Sequence, residues 1–571
     1  MFKNQPAGLY VLALANTGER FGYYTMLAIF LLFLQAKFGF DATVSGQIYA
    51  VFLAMVYFMP LLGGLVADKW SFSKCVITGI FVMFAGYAVM SIPTGIRSTS
   101  SLVILCVALL LISIGTGLFK GNLQVMVGDL YNDPRFAGQR DAAFSLFYMA
   151  INIGSMFAPM AATAMTNMAL HADGLAYSAD LPALCNSLLD GAGNASEVIK
   201  AAAAAGMTVS GDVAAWADNY ITVLSRGYSY AFAVACGSLI LSFLIYTLGR
   251  KTYAHIITDT KKGDKNAPAA VAGPELSAAQ TKARVVALLL VFAVVIFFWM
   301  VFHQNGATLT EFAKSCTSPD AAGWTRIGFN VWALLSIAIG VYALFNLFQS
   351  KSGKGRLVSG ALIVMVAFAL YYFYSNTPDP VAGIQPQQYQ QFNPFFVVAL
   401  TPVSLAIFGW LANRKKEPSA PRKIGYGMVM AAVAYGVMMI GSFSLAGTSG
   451  SVSPNWLIGT YLLLTFAELL LSPMGISFVS KVAPPKLKGS MMGGWFAATA
   501  IGNYLVSIPM LLWGKIPVYL LWIILMAICL VSALFIFSIM KKLEAATADT
   551  DAPTAAAQLA ESEKEAAEVE I

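Results

Sequence analysis

Residues 9–34 read LYVLALANTGERFGYYTMLAIFLLFL, an apolar run long enough to cross a bilayer, with Glu19 and Arg20 side by side in its middle. A charged side chain at bilayer depth costs roughly 2.5–3.5 kcal/mol on insertion scales. Two such charges therefore indicate that this segment faces a cavity lined by water or protein. Neighbours on a helix point about 100° apart, so the two side chains need not pair with each other.

The composition of the whole chain agrees with a membrane protein. Of 571 residues, 58% are hydrophobic and 11% are charged, whereas an ordinary soluble domain carries about 25% charged residues. Only helices and closed barrels satisfy their backbone hydrogen bonds in lipid. Barrel strands are about 10 residues long and alternate in polarity, but the runs here are continuously apolar over roughly 20 residues. We therefore predict an all-α polytopic protein embedded in a lipid bilayer.

Several classes of function are excluded or disfavoured. The net charge of +7 is spread over loops, so it bears on topology and predicts no nucleic-acid partner. The sequence contains no HExxH, Cys/His cluster, nucleotide loop or nucleophile elbow. We therefore expect no enzyme activity, no metal and no cofactor. No cleavable signal peptide is expected, because the N-terminus has one lysine and runs straight into a full-length span.

The apolar runs predict about fourteen membrane spans. They lie near 8–34, 44–67, 75–94, 101–122, 141–166, 228–249, 284–305, 328–349, 357–375, 394–413, 424–446, 456–475, 489–512 and 518–540.

Lysine and arginine alternate between the predicted loops and indicate the orientation. One set of loops is basic, and the opposite set holds only isolated residues such as Lys37, Arg97 and Lys515. Basic loops face the cytoplasm. We therefore predict that both termini are cytoplasmic and that the chain lies in a plasma membrane, the inner membrane of a bacterium.

The loops divide the chain into two halves. Residues 1–249 form an N-terminal six-helix bundle with an external insertion at 167–227, which we expect to hold short helices. A cytoplasmic linker covers 250–283. The C-terminal bundle covers 284–542 and includes an extra two-helix hairpin at 328–375, expected at the periphery. The Ala/Glu-rich tail, 543–571, is predicted to be disordered.

The cysteines leave one question open. Cys185 lies in the insertion and Cys316 follows the seventh span, so the two could form a disulfide in an oxidising space or remain free thiols. Cys106, Cys236 and Cys529 lie in spans and are interpreted as packing residues.

Three further polar residues lie within spans. Lys120 either faces a cavity or snorkels to the interface. Glu468 either faces the same cavity or belongs to a structural ion pair. His303 is either a structural histidine or a proton-handling one. The two acids, Glu19 and Glu468, balance the two bases, Arg20 and Lys120. A cavity that holds a zwitterion between a carboxylate and an ammonium group requires such a balance.

Six short strings carry a family resemblance across both halves. The chain resembles the proton-coupled oligopeptide transporter (POT) family of the major facilitator superfamily. The strings are NTGERFGYYT at 16–25, Tyr57 to Asp68, Gly115 to Asn122, Phe147 to Ser155, Glu468 to Gly475, and Gly493 to Asn503.

This resemblance implies two six-helix bundles that import di- and tripeptides by proton symport with alternating access, as a monomer. It implies that Arg20 and Lys120 attract the peptide carboxylate, and that Glu468 meets the peptide amino group with help from Asn152 and Asn393. The remaining residues that the resemblance assigns to the site are aromatic: Tyr23, Tyr24, Tyr57 and Trp495.

The chain departs from the family pattern at three positions. The first acid of the first-helix motif is Asn16, the usual basic residue seven positions after Arg20 is Leu27, and the usual acid before Q-x-G is His303. Leu27 and His303 replace two gate partners together. The candidates left for proton coupling are Glu19, Glu468 and His303.

Two other functions remain open from the sequence. The first is a transporter of the same fold with a diverged substrate or without proton coupling. The second is a membrane sensor that keeps the fold without turnover. Counterflow separates transport from sensing, and competition by dipeptides under a proton gradient separates the transporters.

Overall fold

The fold is helical throughout the part of the chain that the computed structural model describes. It describes residues 5–131, 133, 135–136, 140–257, 277–350, 352–445, 447, 450–484 and 487–546. Extended pairing within these ranges is limited to two isolated bridges, Thr317 with Val452 and Ala321 with Val381. Among the described residues, fourteen helices are long and apolar enough to cross a membrane. The predicted all-α polytopic fold and its span count are confirmed.

The N-terminal half contains six of these long helices and two short ones. They are α1 (Ala7–Phe38), α2 (Ala42–Lys69), α3 (Phe72–Ser91), α4 (Thr99–Asp129), α5 (Arg140–Ala172), α6 (Leu181–Leu189), α7 (Ala195–Ala204) and α8 (Val213–Leu248).

The C-terminal half contains the other eight long helices. Its helices are α9 (Ala278–Phe302), α10 (Thr308–Ser315), α11 (Val331–Gln349), α12 (Gly353–Asn376), α13 (Phe392–Asn413), α14 (Ala420–Ser442), α15 (Pro454–Val482), α16 (Lys488–Leu505), α17 (Ser507–Leu512) and α18 (Val518–Ser538). A 3₁₀ turn, Pro386–Gln391, leads into α13.

The two halves meet along a few helices only. Within the N-terminal half, α1 packs on α5 and α8, and α3 packs on α4; within the C-terminal half, α14 packs on α15 and α18. Between the halves, α2 packs on α16 and α17, and α5 packs on α13 and the Pro386–Gln391 turn. We call the end of the molecule that carries the insertion the insertion end, and the opposite end the linker end.

The insertion is shorter than the sequence predicts. The predicted sixth span begins at 228, but α8 begins at Val213, where the Asp212 side chain accepts hydrogen bonds from the amides of Ala214 and Ala215. Likewise α5 continues to Ala172. The prediction of 167–227 was wrong at both edges, because the polar residues that interrupt the apolar pattern lie on α5 and α8 rather than between them. The insertion proper is 173–212, and α6 and α7 are the short helices expected there.

One asparagine fixes the insertion onto the end of α1. The Asn186 amide donates to the backbone oxygens of Gln35, Ala36 and Pro182, at 3.3, 2.9 and 2.9 Å. The last carbonyls of a helix have no partner within the helix. Asn186 therefore supplies α1 with a cap from a segment about 150 residues away in the chain.

The extra hairpin, α11 and α12, lies at the side of the C-terminal half. Helix α11 packs on α12, α13 and α5, whereas α12 packs mainly on α11. The Asn346 amide joins the two helices by donating to Ser359 Oγ at 2.7 Å. When no membrane surrounds the protein, large side chains of α12 such as Phe368 and Tyr371 are 71% exposed. The hairpin is peripheral, as expected.

The predicted tail begins too early. Residues 540–546 are helical, and Leu543 is fully buried. Glu544 accepts hydrogen bonds from Ser419 Oγ and Arg422 Nε, both at 2.7 Å, and these bonds lower the pKa of the Glu544 carboxyl. This contribution to stability is present above the ordinary carboxyl pKa and is lost as the pH falls through the lowered value. The rest of the tail and residues 258–276 of the linker lie outside the described residues.

No disulfide joins any two of the six cysteines, all of which lie in the described ranges. Cys185 and Cys316, which could have paired, are both buried, and burial raises the pKa of each thiol to about 12. Cys529 is buried and Cys236 is partly buried, whereas Cys106 is exposed on the outer face of α4. Cys106 was therefore wrongly interpreted as a packing residue.

Candidate functional site

A central cavity of about 220 Å³ lies between the two halves. Its walls come from α1, α2, α4 and α5 of one half and from α9, α13, α15, α16 and their adjoining turns of the other. The hairpin and the insertion contribute nothing to the lining that the structure describes.

The structure brings nearly all the predicted site residues to this cavity. The lining includes Arg20, Tyr23, Tyr24, Tyr57, Lys120, Asn152, His303, Asn393, Glu468 and Trp495. Asn16 and Leu27, two of the departures from the family pattern, also line it. Glu19 is buried but does not belong to the lining.

Glu19 and Arg20 form a bidentate ion pair. Arg20 Nη2 donates to Glu19 Oε1 at 2.8 Å, and Arg20 Nε donates to Glu19 Oε2. The sequence left their pairing open, and the structure shows that the two side chains pair with each other. Both side chains are 4% exposed or less, and an unpaired buried charge is costly. The long arginine side chain bends back so that its planar fork meets the carboxylate.

Lys120 has no carboxylate partner among the described residues. Its ammonium lies over the Tyr57 ring, 4.0 Å from the ring centroid. A cation over an aromatic face is stabilised by the ring quadrupole. Lys120 lines the cavity, so the alternative of snorkelling to the interface does not fit its position.

Glu468 accepts hydrogen bonds only from neutral groups of the described part of the chain. The Tyr148 hydroxyl donates to Oε1 at 2.7 Å, and the Asn393 amide donates to Oε2 at 3.0 Å. The alternative of a structural ion pair does not fit this geometry. Asn152, which was expected to help Glu468, donates instead to the backbone oxygen of Tyr148 at 2.9 Å.

Sequence reasoning missed Tyr148. The signal was available, because Tyr148 precedes Asn152 by four residues and therefore lies on the same face of α5. Its hydroxyl crosses from the N-terminal half to a carboxylate of the C-terminal half. Tyr148 is therefore both a cavity residue and a contact between the halves.

His303 is held by hydrogen bonding and by stacking. His303 Nδ1 lies 2.5 Å from Asn503 Oδ1. The ring stacks on Trp299 with centroids 4.9 Å apart and lies 5.7 Å from the Tyr57 ring. Trp299 also lines the cavity and was missed, because one more aromatic in the run FFWMVFH does not stand out. Leu27 and this hydrogen-bonded histidine, at two positions where the chain departs from the family pattern, both line the cavity.

The aromatic residues of the cavity wall differ in their packing and in their hydrogen bonding. Tyr23 is 2% exposed and packs edge-on against Tyr24, 5.2 Å between centroids. Its hydroxyl is buried without a partner. Trp495 packs against Phe292 and directly covers Gly475, where a Cβ atom would meet the indole at about 2.0 Å. A glycine is therefore required opposite Trp495.

The hydrogen bonds that join described residues of the two halves are not spread evenly. Gln387 donates to Thr163 Oγ1 at 3.1 Å, and Gln385 donates to Asn167 Oδ1 at 2.5 Å, both at the insertion end. Tyr148 and Glu468 meet at the level of the cavity. The insertion end is therefore closed by polar contacts between the two halves.

A charged cavity between two six-helix bundles, closed at one end, defines a membrane transporter of the major facilitator type. The model of the POT family matches residues 73–273 and 368–543, well over half of the chain. The chain belongs to the POT family, as the resemblance in sequence indicates, and members of this family are transporters rather than enzymes.

Individual relatives agree with this assignment. "Dipeptide and tripeptide permease A" of Edwardsiella piscicida is 26% identical over 87% of this chain and 84% of that protein. A crystal structure of peptide transporter POT in complex with sulfate has a TM-score of 0.65 at 20% identity, covering 96% of both chains. A POT family transporter in complex with 5-aminolevulinic acid has a TM-score of 0.66 at 19% identity, covering 95% of this chain and 98% of that one.

Proposed function

We propose that the chain imports di- and tripeptides by proton symport, with alternating access around the central cavity. One observation carries the proposal. Lys120 from one half and Glu468 from the other line the same cavity, and neither has a partner of opposite charge among the described residues. A short peptide carries one carboxylate and one ammonium group, so it supplies both missing partners at once. The names of the relatives support the same substrate class.

In this proposal the peptide carboxylate binds at Lys120 and the amino group binds at Glu468. Arg20 is already paired with Glu19. It therefore contributes to carboxylate binding through the positive electrostatic potential that it adds at its position in the cavity wall. Tyr23, Tyr24, Tyr57 and Trp495 form walls that tolerate different side chains. Asn393 and Tyr148 orient the Glu468 carboxylate. Anchoring the two ends of the backbone permits a broad choice of side chains.

The proposed setting is the inner membrane of a bacterium, with both termini and the linker end in the cytoplasm. The basic loops support this orientation. In this orientation the closed insertion end faces outward. We also propose that the transporter works as a monomer, since the cavity is built within one chain, and that it needs no metal or cofactor besides the proton gradient.

Proton coupling is proposed to involve Glu19, Glu468 or His303. Of these three residue positions, His303 carries the side chain whose ordinary pKa is nearest neutrality. Its ring also lies beside the Tyr57 ring, over which the Lys120 ammonium lies. Uptake into proteoliposomes should be measured for His303→Ala with and without a proton gradient. Loss of the gradient dependence with counterflow retained supports His303, and unchanged coupling removes it from the proposal.

The substrate is tested by competition in purified proteoliposomes. Unlabelled dialanine should compete for uptake of a labelled dipeptide, and an uncoupler should abolish accumulation. Lys120→Gln should weaken competition by dialanine by about tenfold to a hundredfold, since a charge-assisted bond contributes about 1.5–3 kcal/mol. A dipeptide amide, which lacks the carboxylate, should compete equally with both proteins.

Lys481→Gln is the matched control, because Lys481 is exposed at the end of α15 and does not line the cavity. It should behave as the unmodified protein. If dialanine does not compete with the unmodified protein, the peptide proposal fails. If dialanine competes equally with Lys120→Gln, the assignment of Lys120 fails while the substrate class stands.

A further inference from the structure

A second cavity, of about 250 Å³, lies at the insertion end. Thr163 and Asn167 of α5 line it from the N-terminal half. The C-terminal half contributes Arg326 and Asn330, which precede α11, and Gln388 of the turn before α13. In the part of the chain that the structure describes, this cavity and the central cavity share no lining residue. The second cavity is therefore separate from the site proposed for peptides.

The second cavity lies where two membrane spans end. Its lining residues from 326 to 330 precede α11, and those from 377 to 384 follow α12. Both helices are long and apolar enough to cross a membrane. Trp324 and Trp332, on either side of this first group in the sequence, are 69% and 54% exposed. Because tryptophan is enriched at the level of the lipid headgroups, the cavity lies at headgroup depth.

Arg326 is a buried cation in the wall of the second cavity. Its side chain is 5% exposed. The guanidinium donates to three backbone oxygens at 2.7 to 3.2 Å and to Asp379 Oδ2 at 2.9 Å. A guanidinium has five N–H groups, so these bonds leave one N–H of Nη2 without an acceptor among the described residues. The cation is thus held in one place with a donor left for a ligand.

Two side-chain amides add donors to the same cavity. Asn167 Oδ1 accepts from the Gln385 side chain at 2.5 Å, and Gln388 Oε1 accepts from the Gln385 backbone amide at 2.7 Å. Each amide therefore has its oxygen occupied, and neither of the two NH₂ groups has an acceptor among the described residues. Since Asn167 and Gln388 belong to different halves, a ligand that accepts from both joins the halves.

The charges at the second cavity select the kind of ligand. The free donors of Arg326, Asn167 and Gln388 suit an oxyanion, and the N-terminus of α11 adds positive potential. Asp379 cancels the charge of Arg326, so the site as a whole does not favour a ligand with a net charge. The Asp379 side chain is 46% exposed, which leaves it open to a ligand cation. An oxyanion and a cation within one neutral molecule satisfy both residues.

We propose that the second cavity binds the headgroup of a phospholipid that carries a phosphate diester and a primary ammonium group. The phosphate accepts hydrogen bonds from the three donors, and the ammonium binds Asp379. The depth of the cavity favours a lipid over a soluble phosphate compound. Phe329 and Ile384, which also line the cavity, supply apolar contacts for the part of the lipid next to the headgroup. The site does not depend on which solute the protein transports.

Native mass spectrometry of the delipidated, full-length protein in detergent measures the binding. Phosphatidylethanolamine should bind about tenfold more tightly than phosphatidylglycerol with the same acyl chains, which has the phosphate but lacks the ammonium. Glycerophosphoethanolamine and inorganic phosphate, which have no acyl chains, should not displace the lipid at equal concentration. Displacement by either compound would assign the site to a soluble phosphate and overturn the lipid proposal.

Asn167→Asp combined with Gln388→Glu tests the location. Both replacements keep an oxygen for Gln385 and exchange the free donor for a negative charge, which repels phosphate. Binding of phosphatidylethanolamine should fall about tenfold or more. The matched control is Asn194→Asp combined with Gln280→Glu, the same replacements at the helix caps of α7 and α9, where the acidic residues also cap well. Unchanged binding in the first variant, or equal loss in the control, overturns the proposal.

Asp379→Asn tests the charge selection and decides the question if the double variant does not fold. The asparagine still accepts a hydrogen bond from Arg326 but no longer attracts an ammonium group. The preference for phosphatidylethanolamine over phosphatidylglycerol should disappear or reverse. A preference that persists unchanged contradicts the assignment of Asp379 and, with it, the proposed headgroup. None of these measurements uses a peptide, so their outcome is independent of the peptide proposal.

Discussion

At the scale of single residues, the two cations of the cavity differ in what they can offer a ligand. Arg20 already has both oxygens of Glu19, whereas Lys120 rests on an aromatic ring. A ligand carboxylate that binds Lys120 breaks no ion pair, but one that binds Arg20 competes with Glu19. The sequence identified both cations, yet it could not assign this difference, because pairing depends on side-chain torsions rather than on spacing.

Tyr148 offers a test at this scale. Tyr148→Phe removes the hydroxyl that donates to Glu468 and leaves Asn393 as the orienting donor. A hydrogen bond to a charged group contributes about 1.5–3 kcal/mol, so we expect the apparent affinity for dialanine to fall about tenfold in competition assays. Tyr342→Phe, which removes a hydroxyl that contacts Met149 Sδ away from the cavity lining, should have no such effect. Equal losses in both variants would contradict a role for Tyr148 at Glu468.

At the scale of elements, apolar runs of bilayer length predicted which helices exist but not where they end. The start of α8 was missed because residues 213–227 include aspartate, asparagine and arginine, which lower the hydropathy without interrupting the helix. The contact of residues 540–546 with α14 was missed because an Ala/Glu-rich stretch resembles a solvated tail. Helix ends outside the bilayer depend on caps and tertiary contacts, and a hydropathy pattern contains neither.

The cap on α1 gives the prediction for this scale. Asn186→Ala removes the donor to three backbone oxygens, and an unsatisfied buried acceptor costs about 1–3 kcal/mol. We expect a lower midpoint in thermal unfolding of the detergent-solubilised protein. Asn194→Ala, which removes the exposed cap of α7, should cost about 1 kcal/mol or less. The cap has no structural importance if the two variants unfold at the same temperature.

At the scale of the whole molecule, the hydrogen bonds between described residues of the two halves place the closed end at the insertion. The sequence predicted two bundles and the residues of the cavity, because motifs and spacing carry that information. It did not predict the role of Tyr148, because that role depends on a contact between segments that are hundreds of residues apart. Alternating access requires that the contacts at the closed end break in every cycle.

A cross-link tests this requirement. Thr163→Cys with Gln387→Cys, joined by a short bifunctional thiol reagent, ties the halves together at the insertion end, where the native side chains are 3.1 Å apart. We expect counterflow to fall at least tenfold and to recover after reduction. Asn346→Cys with Ser359→Cys, a pair within the hairpin, should cross-link without loss of counterflow. Full turnover in the first cross-linked variant would show that the insertion end need not open.

The attachment of the insertion has a practical consequence for following the transporter at work. Its helix α6 packs on α1 and α8 of the N-terminal half, and α7 packs on α6 and α8. Arg97 of the same half pairs with Asp190 and donates to the backbone of Asn186. An antibody fragment raised against residues 190–204 would therefore tilt with one half and leave the other free. Such a fragment would add mass and a fixed landmark for imaging every state of the cycle, without arresting it.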